Sequence, residues 1–284
     1  MTLIVAVDGG GSLCRLAAFS PQGDMLGRVV VDRHASLTLG VGAAWQHIEQ
    51  GLQALRRELG EVATGYPCRL CMGLAGSLQQ EKRQEFLTLV PNGIAAQLYT
   101  DGYAQLMGAS EGQPGICLSV GTGSVVHWLD QQGNTGMAGG WGFPVGDQGS
   151  GAWLGMRLLQ IYIAHLDGNT NFSPLMSMVE ERVGSSVSAV QGWTTQTRSG
   201  VFAQLAPLVF EAASLHDTVA LTLLDQAVEQ CLQLVRLAPD DLPVFVVGGV
   251  GEQLSPVISS KLGERLRRSR GDALRGLWHL AVTS

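Results

Sequence analysis

Leu3-Ile-Val-Ala-Val-Asp8-Gly9-Gly10-Gly11-Ser12 is written a second time in mid-chain, as Ile116-Cys-Leu-Ser-Val120 followed by Gly121-Thr122-Gly123-Ser124. Both phrases are apolar runs that end in a glycine tip. Both continue into a second apolar run, Leu13 to Phe19 in the first copy and Val125 to Leu129 in the second. A polar turn follows each time, Pro21-Gln-Gly-Asp24 and then Gln131-Gln-Gly-Asn134. Short apolar runs separated by glycine turns read as strands of an antiparallel meander, with Met25 to Val31 as a third strand. Ser12 and Ser124 stand 112 residues apart and Gly23 and Gly133 stand 110 apart, so the second hairpin arm is two residues shorter. An internal repeat of this kind governs architecture before any single element does.

Beyond each meander the pattern changes to helices and further strands. Trp45 to Leu59 has helical apolar spacing, Cys68 to Leu74 reads as a strand, and Gln80 to Leu89 as a helix. Ala96 to Thr100 is a short strand ending at Asp101, and a helix is expected around Tyr103 to Ala109. In the second half, Ser150 is placed to cap a helix running to Leu166, and Asp217 to cap a long amphipathic helix to Leu237. Leu242 to Val247 is a buried strand leading into Gly248-Gly249. Two copies of a meander-then-α/β unit predict two α/β lobes, residues 1–112 and 113–270, facing one another across a cleft.

Composition narrows the function classes. The 284 residues are 45% hydrophobic and 15% charged, enough for buried cores and too apolar for a disordered chain. A net charge of −6 speaks against a nucleic-acid footprint, which needs a basic face. Arg265, Arg267, Arg268 and Arg270 form one basic run, read as a solvated helix face. The apolar run at Leu3 to Val7 is short and has no basic flank, and nothing approaches the roughly 18 apolar residues of a membrane span, so a cytoplasmic enzyme without a membrane partner is expected. Cys68 and Cys71 form a lone CxxC, read as small buried residues on a strand rather than a zinc or redox motif. The six histidines show neither metal spacing nor a G-x-S-x-G partner.

The glycine tips carry the first chemical signal. A Gly-Gly-Gly-Ser tip exposes successive backbone N–H groups that can wrap a phosphate. Asp8 beside it becomes favourable if a divalent ion such as Mg²⁺ lies between carboxylate and phosphate. Each tip alone is equally an ordinary hairpin turn; two in register, one of them after an aspartate, favour the ligand reading. Walker A and G-x-G-x-x-G patterns are absent. Gly248-Gly249 after a strand suits close packing on a flat base such as adenine, or is a plain strand-to-helix turn. Gly139 to Gly151 holds six glycines in thirteen residues, with Trp141 and Asp147, which favours a ligand wall over a structural loop. There Trp141 offers an apolar face to a sugar ring and Asp147 an acceptor for hydroxyls. Asp101, at the carboxyl end of a strand, is placed for a general base and equally for a helix N-cap.

These motifs together resemble the sugar kinase, Hsp70 and actin superfamily. The narrower likeness is to its branch of BadF/BadG/BcrA/BcrD-type ATPases, N-acetylglucosamine kinases and bacterial glucosamine kinases. The carriers are Asp8 to Ser12, Gly73-Leu-Ala-Gly76, Thr100-Asp101, Ser119 to Ser124, Gly139 to Gly151 and Val247 to Val250, which span nearly the whole chain. The resemblance implies duplicated ribonuclease H-like (actin-like ATPase) lobes, with the closing segment 271–284 returning as a helix to the first lobe. It implies ATP as co-substrate with Mg²⁺, Asp8 holding the ion through water, and Gly9, Gly10, Gly11, Ser12, Gly121, Thr122, Gly123 and Ser124 on the phosphates. Gly248 and Gly249 would meet adenosine, and Asp101 would deprotonate a sugar 6-hydroxyl. Ser36, Gly76, Asp101, Gly140, Trp141, Gly142 and Asp147 would line the sugar pocket of a glucosamine or N-acetylglucosamine kinase, expected as a homodimer. Three positions depart from the family pattern: Ser12 stands for Thr, Ser36 for Asn and Gln148 for Glu. Two rival readings are an ATPase that activates a partner enzyme through an iron–sulfur cluster and a sugar-sensing regulator. The first needs several cysteine thiolates, and the second lacks an appended helix-turn-helix.

Overall fold

A computed structural model describes residues 3–60, 68–168, 173–196 and 198–283. Strands β1 (Leu3–Gly9), β2 (Cys14–Phe19) and β3 (Met25–Val31) form the first meander. On the other flank of β1, β4 (Cys68–Leu74) and β5 (Ala95–Tyr99) add in parallel, giving the order β3-β2-β1-β4-β5. All seven residues of β1 are buried, as a central strand covered on both faces requires. The same plan is built again from β6 (Gly115–Val120), β7 (Ser124–Leu129), β8 (Thr135–Gly139), β9 (Val244–Val247) and β10 (Leu266–Arg267). Its order β10-β9-β6-β7-β8 repeats the first sheet strand for strand, again with a parallel flank beside the meander.

Helices α1 (Val41–Leu59), α2 (Gln80–Leu89) and α3 (Asp101–Ser110) accompany the first sheet. Helices α4 (Gly151–Leu166), α5 (Pro174–Val183), α6 (Val187–Thr194), α7 (Ser199–Ala203), α8 (Ala206–Ser214), α9 (Thr218–Val235) and α10 (Gly249–Leu262) accompany the second. The chain closes with α11 (Ala273–Thr283). Two compact units result: residues 1–115 together with 268–284, and residues 116–267. The first core gathers Leu16, Ile48, Leu70, Met72 and Phe86; the second gathers Ile116, Leu118, Leu158, Tyr162 and Val209.

In the first unit α11 packs on α3 so closely that a Cβ on Gly108 would lie 1.9 Å from the Asp272 carbonyl oxygen, and one on Gly276 2.0 Å from that of Ala104. Two small residues facing one another let these backbones meet. The second unit has one comparable contact, where a Cβ on Gly155 of α4 would lie 1.8 Å from the Phe202 oxygen.

The expected caps at Ser150 and Asp217 are in place, each side chain accepting N–H groups of its helix's first turn. The arginine run is a correction. Gly263, at φ +55, ends α10. Arg265 then closes a 3-10 turn, Arg267 lies in β10, and Arg268 begins the return to the first unit. Arg265 donates to the Leu242 carbonyl and Arg270 pairs with Glu111, so these side chains do not share a helix face. Among the described residues no single helix is long and apolar enough to cross a membrane, although Ser199–Ser214 and Thr218–Val235, bent by 118°, pass that test jointly.

Candidate active site

In the first unit the predicted residues converge on the carboxyl ends of β1, β4 and β5. The Gly10 N–H closes the hairpin tip on the Leu13 carbonyl (3.1 Å). Gly9 is required by space, since a Cβ would stand 2.6 Å from Ala35 and Leu74; Gly10 and Gly11 have nothing within 4 Å. The tip is then tied to its neighbours through the backbone. Ala75 N–H donates to Gly9 (2.9 Å), Ala35 N–H to Gly10 (3.0 Å) and Leu37 N–H to Ala75 (2.8 Å). Ser77 Oγ reaches the Tyr99 carbonyl at the end of β5 (2.9 Å). Gly76, at φ +84, has no room for a Cβ beside Thr38. Ser36 is buried and its hydroxyl meets that of Thr38 at 2.7 Å, leaving Thr38 as the exposed hydroxyl of this loop.

Asp101 is the first residue of α3, and the cap is Thr100, whose hydroxyl accepts from Tyr103 N–H at 3.1 Å. The helix-cap reading of Asp101 is therefore corrected: the cap is its neighbour Thr100, and Asp101 is the first residue of the helix proper. Burial raises the Asp101 carboxyl above its ordinary range, against hydrogen bonds from the N–H groups of Gly102 and Asp101 itself. Asp8 lies against Arg15 of the facing strand at 2.7 Å. Burial still raises its carboxyl to about 6; the Arg15 charge opposes this, and the charges of Asp101 and Asp272 add to it. Asp8, Asp101 and Asp272 thus form one electronegative neighbourhood with Arg15 as a counter-charge.

In the second unit the β6–β7 tip and the glycine-rich loop form one body. Gly151 N–H donates to Gly121 (2.8 Å), Ala152 N–H to Thr122 (3.2 Å) and Gly140 N–H to Ser124 (2.9 Å). Ser124 Oγ donates to the Gln148 carbonyl (2.7 Å). Gly140, Trp141 and Gly142 make an exposed rim, with Trp141 89% accessible, while Asp147 is buried behind it. Gln148 turns its amide to the Val145 carbonyl (2.7 Å). Gly248, at φ +90, lies against β6, where a Cβ would come within 2.5 Å of the Val120 oxygen. Gly249 is open and starts α10.

Arg15, Asp272 and Thr38 were not singled out from sequence. The Asp8–Arg15 pairing follows from hairpin register and was in principle readable; Asp272 arrives from the far end of the chain and was not. Cys14, Cys71, Cys117 and Cys231 are free and buried, their thiols pushed up to about 12 by burial. The side chain of Cys68 lies outside the described residues. Among the described residues no group of three or more His, Cys, Asp or Glu is arranged to hold a metal on protein ligands alone.

Residues 5–265 match the model of the BadF/BadG/BcrA/BcrD ATPase family. A glucosamine kinase of Vibrio cholerae is 27% identical over 97% of this chain and 94% of its own length. An N-acetyl-D-glucosamine kinase of Dictyostelium discoideum is 24% identical over 92% of this chain and 90% of its own. A crystal structure from Chromobacterium violaceum, described as a candidate N-acetylglucosamine kinase, superposes with a TM-score of 0.91 at 36% identity, covering 99% of both chains. The two-sheet α/β architecture is thus that of the actin-like ATPases.

Proposed function

Because this chain belongs to the BadF/BadG/BcrA/BcrD ATPase family, we propose that it is a sugar kinase that moves the terminal phosphoryl group of ATP to the 6-hydroxyl of glucosamine or N-acetylglucosamine. One observation supports the reading: Asp8 at a glycine hairpin tip and Asp101 after β5 lie at the carboxyl ends of strands two apart in one sheet, close enough for the Asp101 charge to raise the Asp8 carboxyl.

Phosphoryl transfer asks for positioning, charge stabilisation and one group to take the acceptor's proton. Asp101 takes the proton of the sugar hydroxyl as that oxygen bonds to phosphorus and the bond to the departing ADP oxygen breaks. Its proton affinity, raised by burial, makes it a stronger base than an exposed aspartate. Mg²⁺ uses one or two carboxylates and fills its other positions with water and phosphate. A single buried Asp8, balanced by one guanidinium and surrounded by further negative charge, fits such a site. When bound there through Asp8, the ion supplies positive charge to the phosphates.

In each unit a tip is assigned to phosphate, Gly9 to Ser12 in the first and Gly121 to Ser124 in the second: Ser12 and Thr122 carry the exposed hydroxyls, while the Gly10, Gly121 and Ser124 N–H groups and the Ser124 hydroxyl hold the tips in shape. Gly248 with Gly249 gives adenosine a surface free of side chains. The sugar is assigned to Gly76 in the first unit and to Gly140, Trp141, Gly142 and Asp147 in the second. Ser36 serves it by holding Thr38, since its own hydroxyl is engaged. The reading extends to a cytoplasmic homodimer without nucleic-acid or membrane partners, which size-exclusion chromatography tests for assembly. The catalytic reading is tested by coupled ADP release over amino sugars, neutral hexoses and 6-deoxyglucosamine. ADP is expected with glucosamine or N-acetylglucosamine and not with the 6-deoxy compound. The kinase reading fails if no sugar stimulates release, and its 6-hydroxyl assignment fails if the 6-deoxy sugar is phosphorylated.

A further inference from the structure

Asp147 does more than a residue that only accepts hydroxyls from a sugar needs to do. It is 9% accessible, and its backbone is left-handed at φ +61. A non-glycine residue rarely adopts that conformation, which costs on the order of 1 kcal/mol or more and persists where the surroundings demand it. Here they demand it from two sides. Ser124 N–H, at the start of β7, donates to Oδ1 at 3.4 Å, and the N–H groups of Gly142 and Phe143 in the glycine-rich loop also donate to the carboxylate. An ionised carboxylate offers about four acceptor positions, and part of that capacity is engaged by the protein's own N–H groups.

The hairpin has been shaped to admit this carboxylate. A Cβ on Gly123 would lie 2.9 to 3.1 Å from its three terminal atoms. The neighbouring peptide carries the reciprocal link, Ser124 Oγ to the Gln148 carbonyl at 2.7 Å. Gly123 therefore has a packing reason to be glycine besides any contact with phosphate.

We propose that Asp147 is a positioning residue that holds the glycine-rich loop of the sugar site and the β6–β7 phosphate hairpin in a single arrangement. The proposal rests on the kinase reading above. It assigns Asp147 an effect on ATP binding that a pure sugar ligand would not have. A loop detached from the hairpin leaves Ser124 N–H and the tip free to reorient, and the phosphates then meet a disordered set of donors.

The test measures Mg·ATP affinity without sugar, and sugar affinity without ATP, by isothermal titration calorimetry on wild type, Asp147→Ala, Asp147→Asn and Gly123→Ala, with thermal melts of each. Asp147→Ala is expected to weaken ATP at least tenfold along with sugar. Asp147→Asn keeps one carbonyl acceptor and should recover most of the ATP affinity. Gly123→Ala, which keeps the carboxylate and displaces it, should weaken both ligands in a protein that melts cooperatively. Asp147→Ala with ATP affinity within twofold of wild type and lost sugar affinity overturns the inference alone. If that variant does not fold, the same criterion applied to Gly123→Ala decides. Wild type that binds no ATP overturns the kinase reading and this inference with it.

Discussion

At the place where β1 carries Asp8, β6 carries Val120, and where β2 carries Arg15, β7 carries His127, each 112 residues further on. The two hairpins share strand order and glycine tip, yet one is ionic and the other neutral. Asp8 and Arg15 pair across the strands at 2.7 Å. His127 is buried and its imidazole pushed down to about 4 by burial, so it is uncharged near neutrality. The first unit places acids on strand ends, Asp8 in β1 and Asp101 just after β5, where the proposed metal and base roles would fall. The second presents backbone donors and keeps its one relevant carboxylate in the following loop, occupied by N–H groups. The frame is built twice, and the side chains at a few strand ends differ between the copies.

The largest expected effect breaks the ionic side of this comparison. Asp101→Asn removes the base and should lower kcat by about 10²- to 10⁴-fold. Sugar affinity and melting temperature should stay close to wild type, because Thr100 retains the cap. A variant that loses sugar affinity and stability together would return Asp101 to a structural role.

Gly108→Ala and Gly155→Ala compare the two units mechanically. Each puts a methyl into a carbonyl oxygen, at 1.9 and 1.8 Å, and overpacking of this kind costs roughly 1–3 kcal/mol or more. Denaturant titration should find both destabilised. Gly108→Ala should also reduce kcat, because α3 begins at Asp101.

Titration separates the units by sign. The folded His127 imidazole is held near 4 against an ordinary 6.5, so its contribution is fully present above 6.5 and lost as pH falls toward 4. Asp8 is held near 6 against 3.8, so its contribution is present below 3.8 and lost as pH rises through 6. Each amounts to roughly 3 kcal/mol across its window. Urea midpoints between pH 4 and 8 should lose the acid-side fall in His127→Gln and the opposing rise-side loss in Asp8→Asn. Unchanged slopes in both variants would contradict the burial of these groups. The smallest effects are at the caps, where Thr100→Ala and Ser150→Ala should each cost about 1 kcal/mol by the same titration.

How much of this was readable in advance follows from range. The apolar runs on either side of each glycine tip mark β1, β2, β6 and β7 because strand periodicity and turn chemistry are local. Asp101 was legible as a strand-end acid, but its freedom from capping depended on the rotamer of Thr100. The cage around Asp147 joins residues of two segments through backbone N–H groups, which no side-chain pattern encodes. Arg265 to Arg270 misled because four arginines suggest an exposed helix until Gly263 breaks it and β10 pairs with β9. Strand β8 is placed by its pairing with β7, and α5 to α8 are short helices placed by packing in the core around α4 and α9 rather than by strong periodicity.

Transfer of phosphate from ATP to the 6-hydroxyl of an amino sugar is the step on which every proposed residue role depends. Phosphorus NMR of the products formed with Mg·ATP and glucosamine or N-acetylglucosamine tests it most directly. One sugar phosphomonoester, attached at carbon 6, is expected for every ADP. ADP formed at the same rate without sugar, with only inorganic phosphate beside it, would contradict it.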